Sequence, residues 1–131
     1  MKILTIRIKN LASIEGEYII DFNSEPLKSA GIFAITGPTG AGKTTILDAI
    51  CLALYSNAPR FKNAESGISI KDISGDTISQ GDIKGILREG AADGYADVDF
   101  VGIDGDVYRS TWSVRRAHGN ADGRLQQDSI N

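Results

Sequence analysis

Gly37-Pro38-Thr39-Gly40-Ala41-Gly42-Lys43-Thr44 satisfies G-x-x-x-x-G-K-[ST], the spacing of a loop that cradles phosphate. Polyphosphate is densely charged and has to be wrapped by backbone N–H groups. Gly37, Gly40 and Gly42 permit the backbone conformations and the close approach that a side chain would block. A helix opening near Lys43 would aim its free N–H groups and the positive end of its dipole at the same point. Lys43 is then expected to bridge the β- and γ-phosphates, the Thr44 hydroxyl to ligate Mg²⁺, and Thr45 to reach the α-phosphate.

Hydrolysis would also need a carboxylate on the far side of the metal and a group that orients water. The best candidate carboxylate is Asp104, after Phe100-Val101-Gly102-Ile103, but Asp104-Gly105 reads as a hairpin turn. Gln80, in Ser79-Gln80-Gly81-Asp82, reads as part of a solvated loop with no strand ahead of it. Asp48, in the second turn of the helix, reads as a buried, paired structural residue. His118 reads as solvated and Trp112 as hairpin packing. Arg109, Arg115, Arg116 and Arg124 form a late basic cluster, joined in principle by Arg7, Lys9, Arg60 and Lys62. Two readings of it stand: a solvated sheet edge, or a salt-dependent contact with phosphate or the DNA backbone.

The phosphate loop needs elements on both sides. Residues 31–36, Gly-Ile-Phe-Ala-Ile-Thr, form a continuous apolar run, as in a strand buried on both faces. Residues 43–55 are apolar around nearly the whole helical circumference, which predicts a largely buried helix ended by Asn57 and Pro59. Alternation of Leu4, Ile6 and Ile8 with Thr5, Arg7 and Lys9 predicts a half-buried strand, and Tyr18, Ile20 and Phe22 a second. Residues 56–94 read as an irregular excursion with a short helix near 83–88. Residues 95–115 read as a hairpin, and the rest as a polar tail.

Composition narrows the class. The chain has 131 residues, 41% hydrophobic and 24% charged, which suits one small globular unit. Its net charge of −3 does not make it a general nucleic-acid binder. The longest apolar stretch is too short for a membrane span, and the start has no leader-like run, so a cytoplasmic location with no membrane partner is expected. A single cysteine, Cys51, excludes an intrachain disulfide and a cysteine-based zinc site within these residues.

Met1-Lys2-Ile3-Leu4-Thr5-Ile6-Arg7-Ile8-Lys9-Asn10-Leu11, Ile19-Ile20-Asp21-Phe22 and the whole of 31–55 resemble the opening of the SbcC family. These are SMC-like ATPase subunits of a bacterial double-strand-break repair nuclease complex. The resemblance is specific across 31–55, weak through 96–100 and 108–109, and poor across 60–94. It implies an α/β fold: the N-terminal lobe of a P-loop NTPase head of the ABC/SMC type, with a mixed, partly antiparallel sheet around one buried helix. It implies one incomplete head domain over 1–131, with strand, loop and helix at 31–55.

The resemblance also implies ATP and Mg²⁺ as ligands, and partners in an SbcD-type nuclease subunit, a second copy of the head, and DNA. Family heads are assembled from both ends of a very long chain, with a coiled coil between. Two heads sandwich two ATP molecules. The family's Walker B, signature motif and Q-loop would lie beyond residue 131, and Gln126-Gln127 lacks the Q-loop pattern. No catalytic residue beyond phosphate binding is therefore expected in this stretch, and little or no turnover from it alone. By position, Gly37, Thr39, Gly40, Ala41, Gly42, Lys43, Thr44 and Thr45 would bind triphosphate, with Thr44 on the metal. Thr39 stands where many relatives carry a phosphate-contacting asparagine, and Ala12 where some carry a basic residue. Another SMC-like or ABC-type ATPase, or a non-catalytic nucleotide-binding module, is the alternative. A small kinase or GTPase would need an acceptor site or an Asn-Lys-x-Asp motif, and neither is present.

Overall fold

A computed structural model describes residues 1–65 and 67–131. Its strands are β1 (Lys2–Lys9), β2 (Glu17–Asp21), β3 (Ser69–Lys71), β4 (Thr77–Ser79), β5 (Asp93–Val101), β6 (Val107–Arg115) and β7 (Ser129–Ile130). Its helices are α1 (Lys43–Tyr55) and the single turn α2 (Pro59–Lys62), with 3-10 turns at Ile83–Ile86 and Ala117–Gly119. Five strands form one sheet in the order β2-β1-β5-β6-β7, and β3 and β4 form a separate hairpin. No helix among the described residues is long and apolar enough to cross a membrane.

The alternation read along β1 sets the two faces of the sheet. Ile6 and Ile8 point inward with Ala96, Val98, Trp112 and Val114 of the neighbouring strands, and all six are almost fully buried. Ala49, Leu52 and Ala53 of α1 lie in the same core. The opposite face is polar. There Arg7 meets Asp97 at 3.5 Å and Asp99 at 2.9 Å, and Arg109 meets Asp99 at 2.6 Å. The β5–β6 turn is the expected one. Asp104 accepts from the Asp106 N–H at 3.1 Å and the Tyr108 hydroxyl at 2.5 Å, so its carboxylate is spent inside the hairpin.

Four expectations are corrected. Residues 31–36 form no strand and lie exposed, with Ile32 at 95%. An apolar run becomes a buried strand only when strands pair with both its edges, and among the described residues none does. Every pairing in the five-stranded sheet is consequently antiparallel. α1 is covered on one face only: Leu47 and Tyr55 are 60% and 72% exposed, because among the described residues the sheet and the single turn α2 pack on the other side and no second layer covers this one. The excursion over 56–94 contains the β3–β4 hairpin, so a strand does precede Gln80, which is nevertheless exposed.

Long-range charge pairing organises that excursion. In the connecting turn, Asp72 accepts from the Ser74 hydroxyl at 2.6 Å. Arg116, 4% exposed, donates to both oxygens of Asp72 at 2.7 and 2.9 Å and to the Gly123 carbonyl at 2.9 Å. One guanidinium thereby ties the hairpin, the end of β6 and the tail together. The tail itself is partly ordered, with Trp112 Nε1 donating to Asp128 at 2.8 Å and β7 pairing with β6.

These pairs set the acid stability. Arg116 chiefly, helped by Ser74, holds the Asp72 carboxyl well below the usual carboxylate range against the upward push of burial. Arg109 first, then Arg7, hold Asp99 down at about 2. A lowered carboxyl stabilises the fold above its unfolded pKa of about 4 and loses that contribution as pH falls through its folded value. Unfolding free energy should therefore drop steeply between pH of about 4 and about 2 in a pH series of denaturant titrations. Asp72→Asn leaves Arg116 buried and unpaired, and should cost about 3–5 kcal/mol at neutral pH by the same titration.

Candidate nucleotide site

The first intrahelical bond of α1 runs from the Ile46 N–H to the Gly42 carbonyl at 3.1 Å. Ahead of it, the N–H groups of Lys43, Thr44 and Thr45 find no backbone acceptor among the described residues. No side chain caps this end, and no acidic residue sits in the first turn. Three free donors and an unopposed positive dipole end therefore converge at one place, a donor set suited to an anion.

Backbone sterics create that arrangement. Gly40 has φ of 81° and Gly42 has φ of 103°, both in the region that side chains disfavour. A Cβ on Gly42 would also come within 3.1 Å of Ile14 Cγ1. The Ala41 N–H closes a tight turn onto the Pro38 carbonyl at 3.1 Å. Ile14 belongs to the β1–β2 loop, which is fixed from below. The Ala12 N–H donates to the Ile86 carbonyl at 2.7 Å, and Arg88 Nη1 donates to the Ala12 carbonyl at 3.1 Å.

Thr39, Gly40, Gly42, Lys43, Thr44 and Thr45 line one groove of about 440 Å³. Thr44 is exposed there, so its side chain is accessible to a cation, whereas Thr45 is 2% exposed. Gly37 and Ala41 stand outside the groove wall. Ala41 faces a neighbouring pocket lined by Ile8, Ile14, Ile20 and Ile46 together with Glu15, Lys43 and Arg88, and the Gly37 carbonyl accepts from the Lys43 ammonium. Lys43 Nζ also donates to the Pro38 carbonyl at 3.2 Å, so the ammonium sits folded against its own loop. Among the described residues no group of three or more acidic, histidine or cysteine side chains could hold a metal. A divalent cation here would have the Thr44 hydroxyl and the oxygens of a bound phosphate as its partners.

Three further residues line the groove, Ala12, Ser13 and Arg60; sequence reasoning singled out the position of Ala12 by resemblance and Arg60 only as a member of the basic cluster, and did not place Ser13. Ala12 and Ser13 arrive through the left-handed backbone of the β1–β2 loop, where Ala12 has φ of 48°. Arg60 arrives from α2, and its Nη2 lies 2.6 Å from Asp48 Oδ2. Asp48 is 2% exposed and paired, the role read for it. Its burial pushes the carboxyl up, and Arg60 pulls it back. Most of the other cluster arginines are neutralised: Arg7, Arg109, Arg116 and Arg124 each meet an aspartate, as does Lys9. For Arg7, Lys9 and Arg109 that pairing favours the solvated sheet face over a DNA-backbone contact, while Arg116 is buried.

The family model described as an AAA domain matches residues 5–130. The chain belongs to the AAA domain family. Within that family, it is 56% identical over 97% of its length to the SbcC subunit of nuclease SbcCD from Pseudomonas aeruginosa, and 49% identical over 96% to that from Rhodobacter capsulatus. It is also 44% identical over 47% of its length to a probable DNA double-strand break repair Rad50 ATPase of Aquifex aeolicus. The chain spans about a tenth of the length of the first two relatives and 6% of the third. Membership of the AAA domain family implies nucleotide binding, and the free N–H groups at this groove are chemically suited to an anion.

Gly42→Ala tests whether this backbone is required. Left-handed geometry and the Ile14 contact should together cost about 1–3 kcal/mol of stability in denaturant unfolding.

Proposed function

We propose that this chain is the phosphate-binding part of an ATPase that acts with a nuclease partner in DNA double-strand-break repair and end processing. The observation that carries the reading is the uncapped start of α1, set beside Lys43 and Thr44 in a chain so similar to the SbcC component of an SbcCD nuclease. In this reading residues 1–131 are part of an ABC/SMC-type head. Residues 31–36 become a strand when another segment of the intact protein supplies its edges. A second copy of the head, an SbcD-type nuclease subunit and DNA are the partners, and the cytoplasm is the location.

The chemistry follows from the groove. The backbone N–H groups of 43–45 receive phosphate oxygens, with Gly37, Thr39, Gly40, Ala41 and Gly42 shaping the loop around them. Lys43 exchanges its two loop carbonyls for β- and γ-phosphate oxygens and stabilises the charge that builds there. The Thr44 hydroxyl holds Mg²⁺, which neutralises the triphosphate when bound, and Thr45 faces the α-phosphate. ATP binding closes two heads and hydrolysis resets them. The groups that orient water are contributed from outside these residues, so residues 1–131 alone should bind ATP without turning it over.

Calorimetry with Mg·ATP on the intact protein tests this reading. Lys43→Ala should weaken binding by about 10- to 100-fold, the loss of a charged hydrogen-bonding partner, and abolish turnover. Equal affinity in the two proteins would contradict it.

A further inference from the structure

One wall of the groove is not supplied by the phosphate loop. Ala12 and Ser13 stand on it, and Ile14 lies against Gly42, all three from the β1–β2 loop. That loop is held in an unfavourable shape. Asn10 has φ of 50° and Ala12 has φ of 48°, both left-handed. Asparagine accepts that region, whereas the Cβ of alanine resists it. A residue such as Ala12 stays there only where its surroundings fix it.

Residues 86–88 do much of that fixing. The Ala12 N–H donates to the Ile86 carbonyl at 2.7 Å, Leu11 bridges Leu87, and the Arg88 N–H donates to the Asn10 carbonyl at 2.9 Å. Those are backbone contacts, which most residue types at 88 would preserve. The Arg88 side chain adds one that depends on its identity: Nη1 donates to the Ala12 carbonyl at 3.1 Å. The strained residue is thereby gripped on both sides, its N–H by Ile86 and its carbonyl by the guanidinium. The Glu15 carboxylate is 3.7 Å from Arg88 Nη2 and 82% exposed, so that ion pair contributes little.

We propose that Arg88 is a positioning residue of the nucleotide site: by holding the Ala12 carbonyl it keeps the β1–β2 loop seated against Gly42. The proposal rests on the nucleotide reading above. Arg88 does not line the groove itself, so it acts through the loop and not by touching nucleotide. Gly42 is the residue directly ahead of the free N–H groups of 43–45, and its left-handed backbone aims them. Without the brace, Ile14 is free to leave Gly42, and the wall and the start of α1 lose their fixed spacing. The wall serves bound nucleotide before and during reaction alike, so its loss should raise KM and leave kcat in place.

The test compares Arg88→Met, which keeps an apolar stem and removes the donors, with Glu15→Gln, which removes only the exposed ion pair, in the full-length protein. Calorimetric affinity for Mg·ATP is measured well below the unfolding temperature, with KM and kcat of turnover beside it. Arg88→Met should weaken binding and raise KM by about five- to tenfold, with kcat within about twofold of the parent. Glu15→Gln should match the parent. Amide exchange without nucleotide should quicken at residues 12–15 in Arg88→Met and stay slow at Val98, which is fully buried in the sheet. Should Arg88→Met fail to fold, Ala12→Gly added to it relieves the left-handed strain, and the pair is read against Ala12→Gly alone. A lowered unfolding temperature with affinity and KM unchanged would make Arg88 merely structural, and the proposal falls while the nucleotide reading stands. Equal losses in Glu15→Gln and Arg88→Met would place the effect in the ion pair and also overturn it. If the parent itself binds no ATP, both fall.

Discussion

Burial of one face of α1 against β5 and β6 is the interaction on which the rest of the structure depends. Two of the buried residues are alanines, Ala49 and Ala53, so the helix approaches the sheet closely, and Leu52 joins them in the core with Trp112. Once that face is seated, the start of the helix has a fixed address. The uncapped N–H groups cannot turn away, and the glycines ahead of them have to absorb the change of direction. The anion-suited groove is the outcome of a packing contact along the helix and a steric constraint at its start.

The polar residues answer the same constraint. Asp48 is on the covered side of α1, a position that would be costly for a charge without Arg60. Arg116 and Asp72 do for the β3–β4 hairpin what the hydrophobic core does for the sheet. They fix a segment that buries little apolar surface of its own. The outer ladder of Arg7, Asp97, Asp99 and Arg109 keeps the other sheet face polar and mostly self-neutralised.

Much of this was legible in the residues. Alternation gave β1, β2 and the β5–β6 hairpin, and the spacing of Gly37, Gly42 and Lys43 gave the loop. What was not legible has a common cause. The apolarity of 31–36 states how buried that run would be with neighbours, and says nothing about whether neighbours are at hand. The same holds for the outer face of α1 at Leu47 and Tyr55. β3 and β4 are three residues each, too short for a period to emerge, and Arg116, which anchors their turn, lies 44 positions from Asp72. The meeting of Arg60 with Asp48 joins two elements that sequence reading treated separately.

Amide hydrogen exchange of the intact protein with and without Mg·ATP tests the central claim most directly. If the uncapped start of α1 receives the phosphates, protection should concentrate at residues 40–45 and vanish in Lys43→Ala. Binding of ATP that leaves those amides exchanging at their free rate, with protection elsewhere, would contradict the account.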